Sequence, residues 1–214
     1  MSRKGIIFDL DGTLWDSCKE VTDSWNIALS QCEDINFKLK VEDIKNVMGK
    51  TNDEIAKIFF KELSEERVLE ILKLCIEVED KCLGKNGGIL YPKLEETLIE
   101  LNKDYDLYIV SNCQEGYIEI FLKLYSLDKY FKDFESAGKT SLSKGENIKL
   151  VVKRNNIEQA IYVGDTQGDY NATKIAKVPF VYAKYGFGTI NEETEKIEKL
   201  EDIVKVAEKI FSNH

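Results

Sequence analysis

Histidine is all but missing from this sequence: the single copy, His214, is the last of its 214 residues. Serine–histidine and cysteine–histidine nucleophiles and histidine-ligated metals are thereby almost excluded. Cysteine is present five times (Cys18, Cys32, Cys75, Cys82, Cys113), but with no CxxC pair and no zinc spacing. Reduced thiols in a cytoplasm are therefore expected. Long apolar runs are lacking too: nothing approaches the length that spans a bilayer. Met1-Ser2-Arg3-Lys4 leads straight into a strand with no signal-peptide pattern, so the expectation is a cytoplasmic protein with no membrane partner. Positive charge is also short. The formal net charge is -9, with no basic stripe and no interleaving of aromatic and arginine residues, which argues against nucleic acid as a partner. There is no internal repeat, low-complexity tract or long linker. The length suffices for one good core and a small accessory unit, and a monomer or weak dimer is expected.

What is there begins with Ile6-Ile7-Phe8-Asp9-Leu10-Asp11-Gly12-Thr13. The apolar run with two β-branched residues reads as a short buried strand. It ends in two carboxylates one residue apart, which are poor strand formers and costly to bury. Such a pair wants a cation or a proton. Gly12 permits a tight turn that aims backbone N–H groups inward, and Thr13 adds a hydroxyl. The local kit holds a metal or attacks, next to donors that hold an anion.

The rhythm then becomes helical. Apolar positions Val21, Trp25, Ala28, Leu29 and Cys32 recur at helical spacing over 17–32, with Ser17 and Glu20 in the form of a capping box. A shorter piece follows over 41–48. Gly49 and Lys50 interrupt it, and Thr51 with Glu54 caps a helix through Phe59. A further helix over 64–83 ends at the glycine-rich stretch from Gly84 to Gly88. This reads as a helical cap of residues 16–84 inserted into a core made of 1–15 and 85–214. From Pro92 helix and strand alternate: helix 92–102, strand 106–111, helix 114–125, a weaker strand 134–136, helix 146–155, strand 160–164, helix 168–176, an edge-like strand 180–182 and a charged terminal helix 192–211. Alternation of this kind predicts an α/β fold, a three-layer Rossmann-like parallel sheet with right-handed crossovers.

Three strands end in polar residues that a plain core does not need: Asp9 and Asp11, Ser111 and Asn112, and the run Gly164-Asp165-Thr166-Gln167-Gly168-Asp169. In an open parallel sheet the carboxyl ends of the strands share one crevice, where ligands bind. Like charges gathered there raise one another's pKa unless a cation sits between them. Oxygen ligands without His or Cys point to Mg²⁺. Lys144, before a helix start, supplies a basic residue on the anion's side.

Asp9-Leu10-Asp11-Gly12-Thr13, Ser111-Asn112, Lys144-Gly145 and Gly164 to Asp169 resemble, in order, the four motifs of the haloacid dehalogenase-like hydrolase superfamily. The inserted helices lie where its phosphoglycolate phosphatase-like and β-phosphoglucomutase-like branches carry a cap. The resemblance covers nearly the whole chain. Many capped members carry Lys-Pro at the third motif, whereas Ser143-Lys144-Gly145-Glu146 is similar to the phosphoserine phosphatase branch and leaves Lys139 as a rival. The resemblance implies that Asp9 is the nucleophile, forming an aspartyl phosphate, and that Asp11 is the acid and base. It further implies that Asp9, Asp165 and Asp11, the last through its backbone carbonyl, hold Mg²⁺. Thr13, Ser111, Asn112 and Lys144 would grip the phosphoryl group, with Asp169 supporting metal and lysine.

Several of these residues have plainer readings. Asp169 would serve equally as a helix cap, and Ser111 and Asn112 as caps that also bind phosphate. Trp15 and Trp25 read as packing at the hinge and in the cap. Cys113, with no histidine to activate it, reads as a buried thiol. Lys50 is either a surface lysine in a helix–helix turn or the residue that reads the non-phosphate end of the substrate. The leading function is an Mg²⁺-dependent phosphatase acting on a small phosphate ester. The alternatives are a sugar-phosphate mutase of β-phosphoglucomutase type, although the cap lacks that branch's histidine, and a regulatory protein that keeps the fold. A phosphonoacetaldehyde hydrolase would use a cap lysine such as Lys50, but usually lacks the second aspartate of the first motif.

Overall fold

The computed structural model describes residues 3–212; His214 lies outside them. The chain opens with β1 (Lys4–Phe8), then passes through the two-residue strand β2 (Trp15–Asp16) into helices α1 (Cys18–Leu29), α2 (Val41–Lys45), α3 (Asn52–Phe59) and α4 (Glu65–Asn86). It returns through β3 (Ile89–Leu90), which pairs antiparallel with β2, Trp15 facing Leu90 and Asp16 facing Ile89. There follow α5 (Leu94–Leu101), β4 (Asp106–Ser111), α6 (Tyr117–Leu124), β5 (Phe131–Ser136), α7 (Ala137–Thr140), α8 (Lys144–Arg154), β6 (Gln159–Gly164), α9 (Gln167–Ala176), β7 (Phe180–Ala183), β8 (Glu195–Ile197) and α10 (Ile203–Ser212).

The main sheet has the order β5-β4-β1-β6-β7-β8, and every pairing in it is parallel. Its central strands alternate between two apolar faces because successive side chains of a strand point to opposite sides. Ile6, Phe8, Leu107, Ile109, Ile161 and Val163 face one core, with Leu98, Phe121 and Ile203. Ile7, Tyr108, Val110 and Tyr162 face the other, with Ile148, Val151 and Ala172. That is the three-layer parallel core with an inserted helical cap. From β1 the chain builds one half of the sheet outward through β4 and β5, and the other through β6 and β7. The order therefore reverses at β1, and a crevice opens at the carboxyl ends of β1, β4 and β6.

The elements differ from the sequence reading at several ends. Gly84 lies inside α4, where its missing side chain faces open space; the helix stops at Gly87, in a left-handed conformation (φ 70°). Pro92 precedes α5 rather than starting it, and Gln114 stays out of α6 because Gly116 turns the chain (φ 92°). Strand β7 is not the edge: β8 pairs outside it, with Ile197 buried. The charged segment expected as one terminal helix is thus split, because sheet pairing and burial of Ile197 outweigh the helix propensity of its Glu and Lys residues. Among the described residues no helix is long and apolar enough to cross a membrane.

Candidate active site

The carboxyl end of β1 is carried one residue further by the Asp9 N–H, which donates to the Val163 carbonyl at 2.8 Å. Beyond it the chain curls tightly, Leu14 N donating to Leu10 O at 2.8 Å. Gly12 allows the curl: its φ is +81°, and a Cβ there would overlap the Asp165 carboxylate.

Asp11 faces a different set of neighbours from Asp9. Its Oδ1 accepts from Ser17 Oγ at 2.5 Å and Trp15 Nε1 at 2.9 Å, with the Tyr117 hydroxyl at 2.9 Å. The Ser17 side chain is consumed in this way and makes no capping bond to α1, so the capping box read over Ser17 and Glu20 does not form. Burial pushes the Asp11 carboxyl up, and the Ser17, Tyr117 and Trp15 donors hold it back. Tyr117 carries no local sequence signal, being 106 residues from Asp11.

Asp9, Asp165 and Asp169 each bring a carboxylate oxygen to one spot, all within 4.8 Å of one another. Lys144 Nζ lies 2.6 Å from Asp169 Oδ1 and 3.1 Å from Asp9 Oδ2. All four side chains are at most 5 % exposed. Lys144 is the first residue of α8, after a capping box formed by Ser143 and Glu146; Lys139, its rival, is exposed. Asp169 does double duty. Its Oδ2 accepts from Thr166 N at 2.9 Å and Thr166 Oγ at 2.7 Å, capping α9, while its Oδ1 holds the lysine.

Three carboxylates and one ammonium leave two negative charges uncompensated when all are ionised. Burial first, then the charge of Asp169, pushes the Asp9 carboxyl up to about 7 against the pull of Lys144. Asp165 is pushed well up by burial and by Asp169 and Asp9. Burial opposes the charge on Lys144, but Asp169 and Asp9 outweigh it and raise its pKa. Asp9 Oδ1 and Asp165 Oδ1 are buried with no hydrogen-bond partner, as is Thr13 Oγ1. Orphaned buried carboxylate oxygens are costly; a hard divalent cation with oxygen ligands fits them.

Above this cluster the cap closes over a cleft of about 50 Å³. Asp9, Asp11, Ser111 and Asn112 line it from the core, and Trp25, Lys50 and Glu79 from the cap. Lys50 is exposed at its rim. Asn112 donates one amide N–H to the Gly49 carbonyl at 2.8 Å, while its own oxygen is buried and unpartnered. Gln114 bridges further: its Nε2 donates to Glu79 Oε1 at 2.8 Å and Asp80 Oδ1 at 3.0 Å, and its Oε1 accepts from Asn52 at 3.2 Å. Trp25 is packing and more, since its indole N–H donates to Glu79. Burial pushes the Glu79 carboxyl up to about 7 despite the Gln114 and Trp25 donors. Sequence reading missed Glu79; a glutamate on the apolar side of α4 was the only available sign. Burial drives the Cys113 thiol well up, which keeps it protonated and a poor nucleophile.

Comparison with known proteins places this fold in a family. A phosphoglycolate phosphatase of Aquifex aeolicus is 29% identical over 98% of this chain and 97% of its own length. One from Mesorhizobium japonicum is 27% identical, over 87% of this chain and 85% of its own. The solved structure of a haloacid dehalogenase-like family hydrolase from Streptococcus pneumoniae superposes with a TM-score of 0.78 at 19% identity, covering 95% of this chain and 98% of that one. The model of the haloacid dehalogenase-like hydrolase family itself matches residues 6–183, from β1 through β7. The chain therefore belongs to the haloacid dehalogenase-like hydrolases.

Proposed function

We propose that the protein is an Mg²⁺-dependent phosphomonoesterase for a small phosphorylated metabolite, working through an aspartyl phosphate on Asp9. One observation carries the reading: the carboxylates of Asp9 and Asp165, each with a buried, unpartnered oxygen, lie in one cluster, with Lys144 bound to Asp9. Asp9 and Asp165, with the Asp11 backbone carbonyl, would hold the ion. Mg²⁺ there offsets the repulsion between an anionic nucleophile and an anionic ester.

Asp9 attacks phosphorus in line and releases the alcohol, which splits one hard displacement into two. Asp11 gives the leaving oxygen its proton, then takes one from the water that hydrolyses the intermediate. Thr13, with a buried unpartnered hydroxyl, grips phosphoryl oxygens together with Ser111, the backbone at Asn112 and Lys144. Asp169 holds Lys144 in line. The cap, taken as residues 16–84, excludes bulk water when shut, and Lys50 at the rim reads the end of the substrate. Nitrophenyl phosphate tests the whole reading. The expected result is phosphate release that requires Mg²⁺ and is abolished in a folded Asp9→Asn protein, because an amide is not a competent nucleophile. Near-normal turnover by Asp9→Asn would sink the covalent mechanism.

A further inference from the structure

The cleft beyond the phosphoryl position has apolar walls from Val21, Ile44, Val47 and Ile55. Two of its polar groups, Glu79 and Asn112, are acceptors with capacity to spare. Glu79, 5 % exposed, projects from α4 with each oxygen accepting one hydrogen bond: Oε2 from the Trp25 indole and Oε1 from Gln114. An indole N–H only donates, and the Gln114 amide is oriented by the Asn52 donor on its oxygen. A carboxylate has about four lone-pair positions, so roughly two on Glu79 stay open. The second acceptor is the unpartnered Asn112 oxygen.

The neighbouring donors are engaged: Gln114 spends both amide hydrogens on Glu79 and Asp80, Trp25 its only one on Glu79, and Asn112 one of its two on Gly49. Lys50, among the described residues the one cation lining the cleft, is exposed at its rim, where water weakens its field. A substrate tail thus meets acceptors with open lone pairs beside a buried carboxylate. A hydroxyl or an ammonium satisfies them. A carboxylate brings like charge against Glu79 inside a closed cleft and leaves both acceptors unpaired.

We propose that Glu79 sets the substrate class: the cleft accepts phosphate esters whose tail carries a hydrogen-bond donor without negative charge, and rejects those whose tail ends in a carboxylate. The proposal rests on the phosphatase reading above. It separates this chain from the activity for which its curated relatives are named.

The test uses esters of nearly equal size that differ at the tail: hydroxyethyl phosphate, ethyl phosphate and phosphoglycolate, with nitrophenyl phosphate as a tail-independent control. The pH is held at about 8, where the Glu79 carboxyl, near 7, is largely ionised. Hydroxyethyl phosphate is expected to exceed phosphoglycolate in kcat/KM by at least about tenfold, with ethyl phosphate between them. Glu79→Gln should shrink that ratio to within about threefold; a ratio cancels any loss common to both esters. Calorimetric binding of the same esters to Asp9→Asn protein with Mg²⁺ should follow the same order.

Equal or better use of phosphoglycolate by the wild type overturns the proposal, as does an unchanged ratio in folded Glu79→Gln. A phosphoglycolate preference that collapses in Lys50→Ala overturns it too, and assigns the tail to Lys50. Should Glu79→Gln fail to fold, the wild-type ratio decides alone. If no ester is hydrolysed, nitrophenyl phosphate included, yet binding keeps the expected order, the hydrolase reading fails while the preference stands.

Discussion

Because Ser17 and Trp15 donate to the same oxygen of Asp11, with the Tyr117 hydroxyl beside it, the other oxygen is left to carry a proton. A carboxyl so oriented presents its acid edge in one direction, as a general acid requires. Asp11→Asn should therefore cost most with alkyl phosphates, whose leaving groups need the proton, and least with nitrophenyl phosphate. Tyr117→Phe removes one of the three contacts and should lower alkyl phosphate turnover by about two- to tenfold, the worth of one neutral hydrogen bond. Equal losses on both ester types in steady-state kinetics would remove Asp11 from the acid role. At this scale the sequence reading reached Asp9, Asp11, Asp165 and Asp169 because each sits in a short motif at a strand end. Tyr117 and Glu79 escaped it. Tyr117 meets Asp11 from 106 residues away, across cap and core, and Glu79 meets Trp25 from 54, between two helices of the cap, contacts that exist only once the chain has folded.

Helix starts were legible where nothing competes for the capping side chain. The box read at Thr51 with Glu54 forms, and Ser143 with Glu146 forms one that the sequence reading did not name. That at Ser17 does not, because the buried carboxylate of Asp11 takes its hydroxyl. A third box, Thr166 with Asp169, has a double function, since the carboxylate that caps α9 also anchors Lys144. Thr166→Ala should cost about 1–2 kcal/mol of stability in urea unfolding. It should also lower kcat/KM, because the Asp169 carboxylate loses the hydroxyl that positions it behind Lys144. Thr51→Ala, a half-buried cap with no such link, should cost about 1 kcal/mol or less; a larger loss at Thr51 than at Thr166 would contradict the coupling. Strand β8 was illegible for the opposite reason: Glu195-Lys196-Ile197 has the composition of a helix and becomes a strand only through pairing with β7.

On the scale of the whole molecule, the buried carboxylates tie folding to pH and, in the proposed function, to metal. In metal-free protein the Asp9 carboxyl sits near 7 against an ordinary value of 3.8, so between those values the folded state holds a proton that the unfolded chain has lost. Its contribution to stability is greatest near the lower value, falls as pH rises, and is at its worst above about 7. Asp165 is shifted in the same direction. A divalent cation requires the deprotonated forms. The rise in Tm produced by Mg²⁺ over chelator should thus be large at about pH 8 and shrink steadily towards about pH 5.5, with proton release detectable by calorimetry. An increment that does not vary with pH would place the ion elsewhere. The paired strands β2 and β3 have a consequence of another kind. The chain leaves the core at Trp15–Asp16 and comes back beside the same spot at Ile89–Leu90, so the two ends of the inserted helices are neighbours across one ribbon. Seen as an engineering joint, the ribbon makes those helices a cassette. A foreign insert need only match the spacing of two adjacent strands to be spliced in, and a different substrate tail can be read without disturbing the sheet that carries the aspartates.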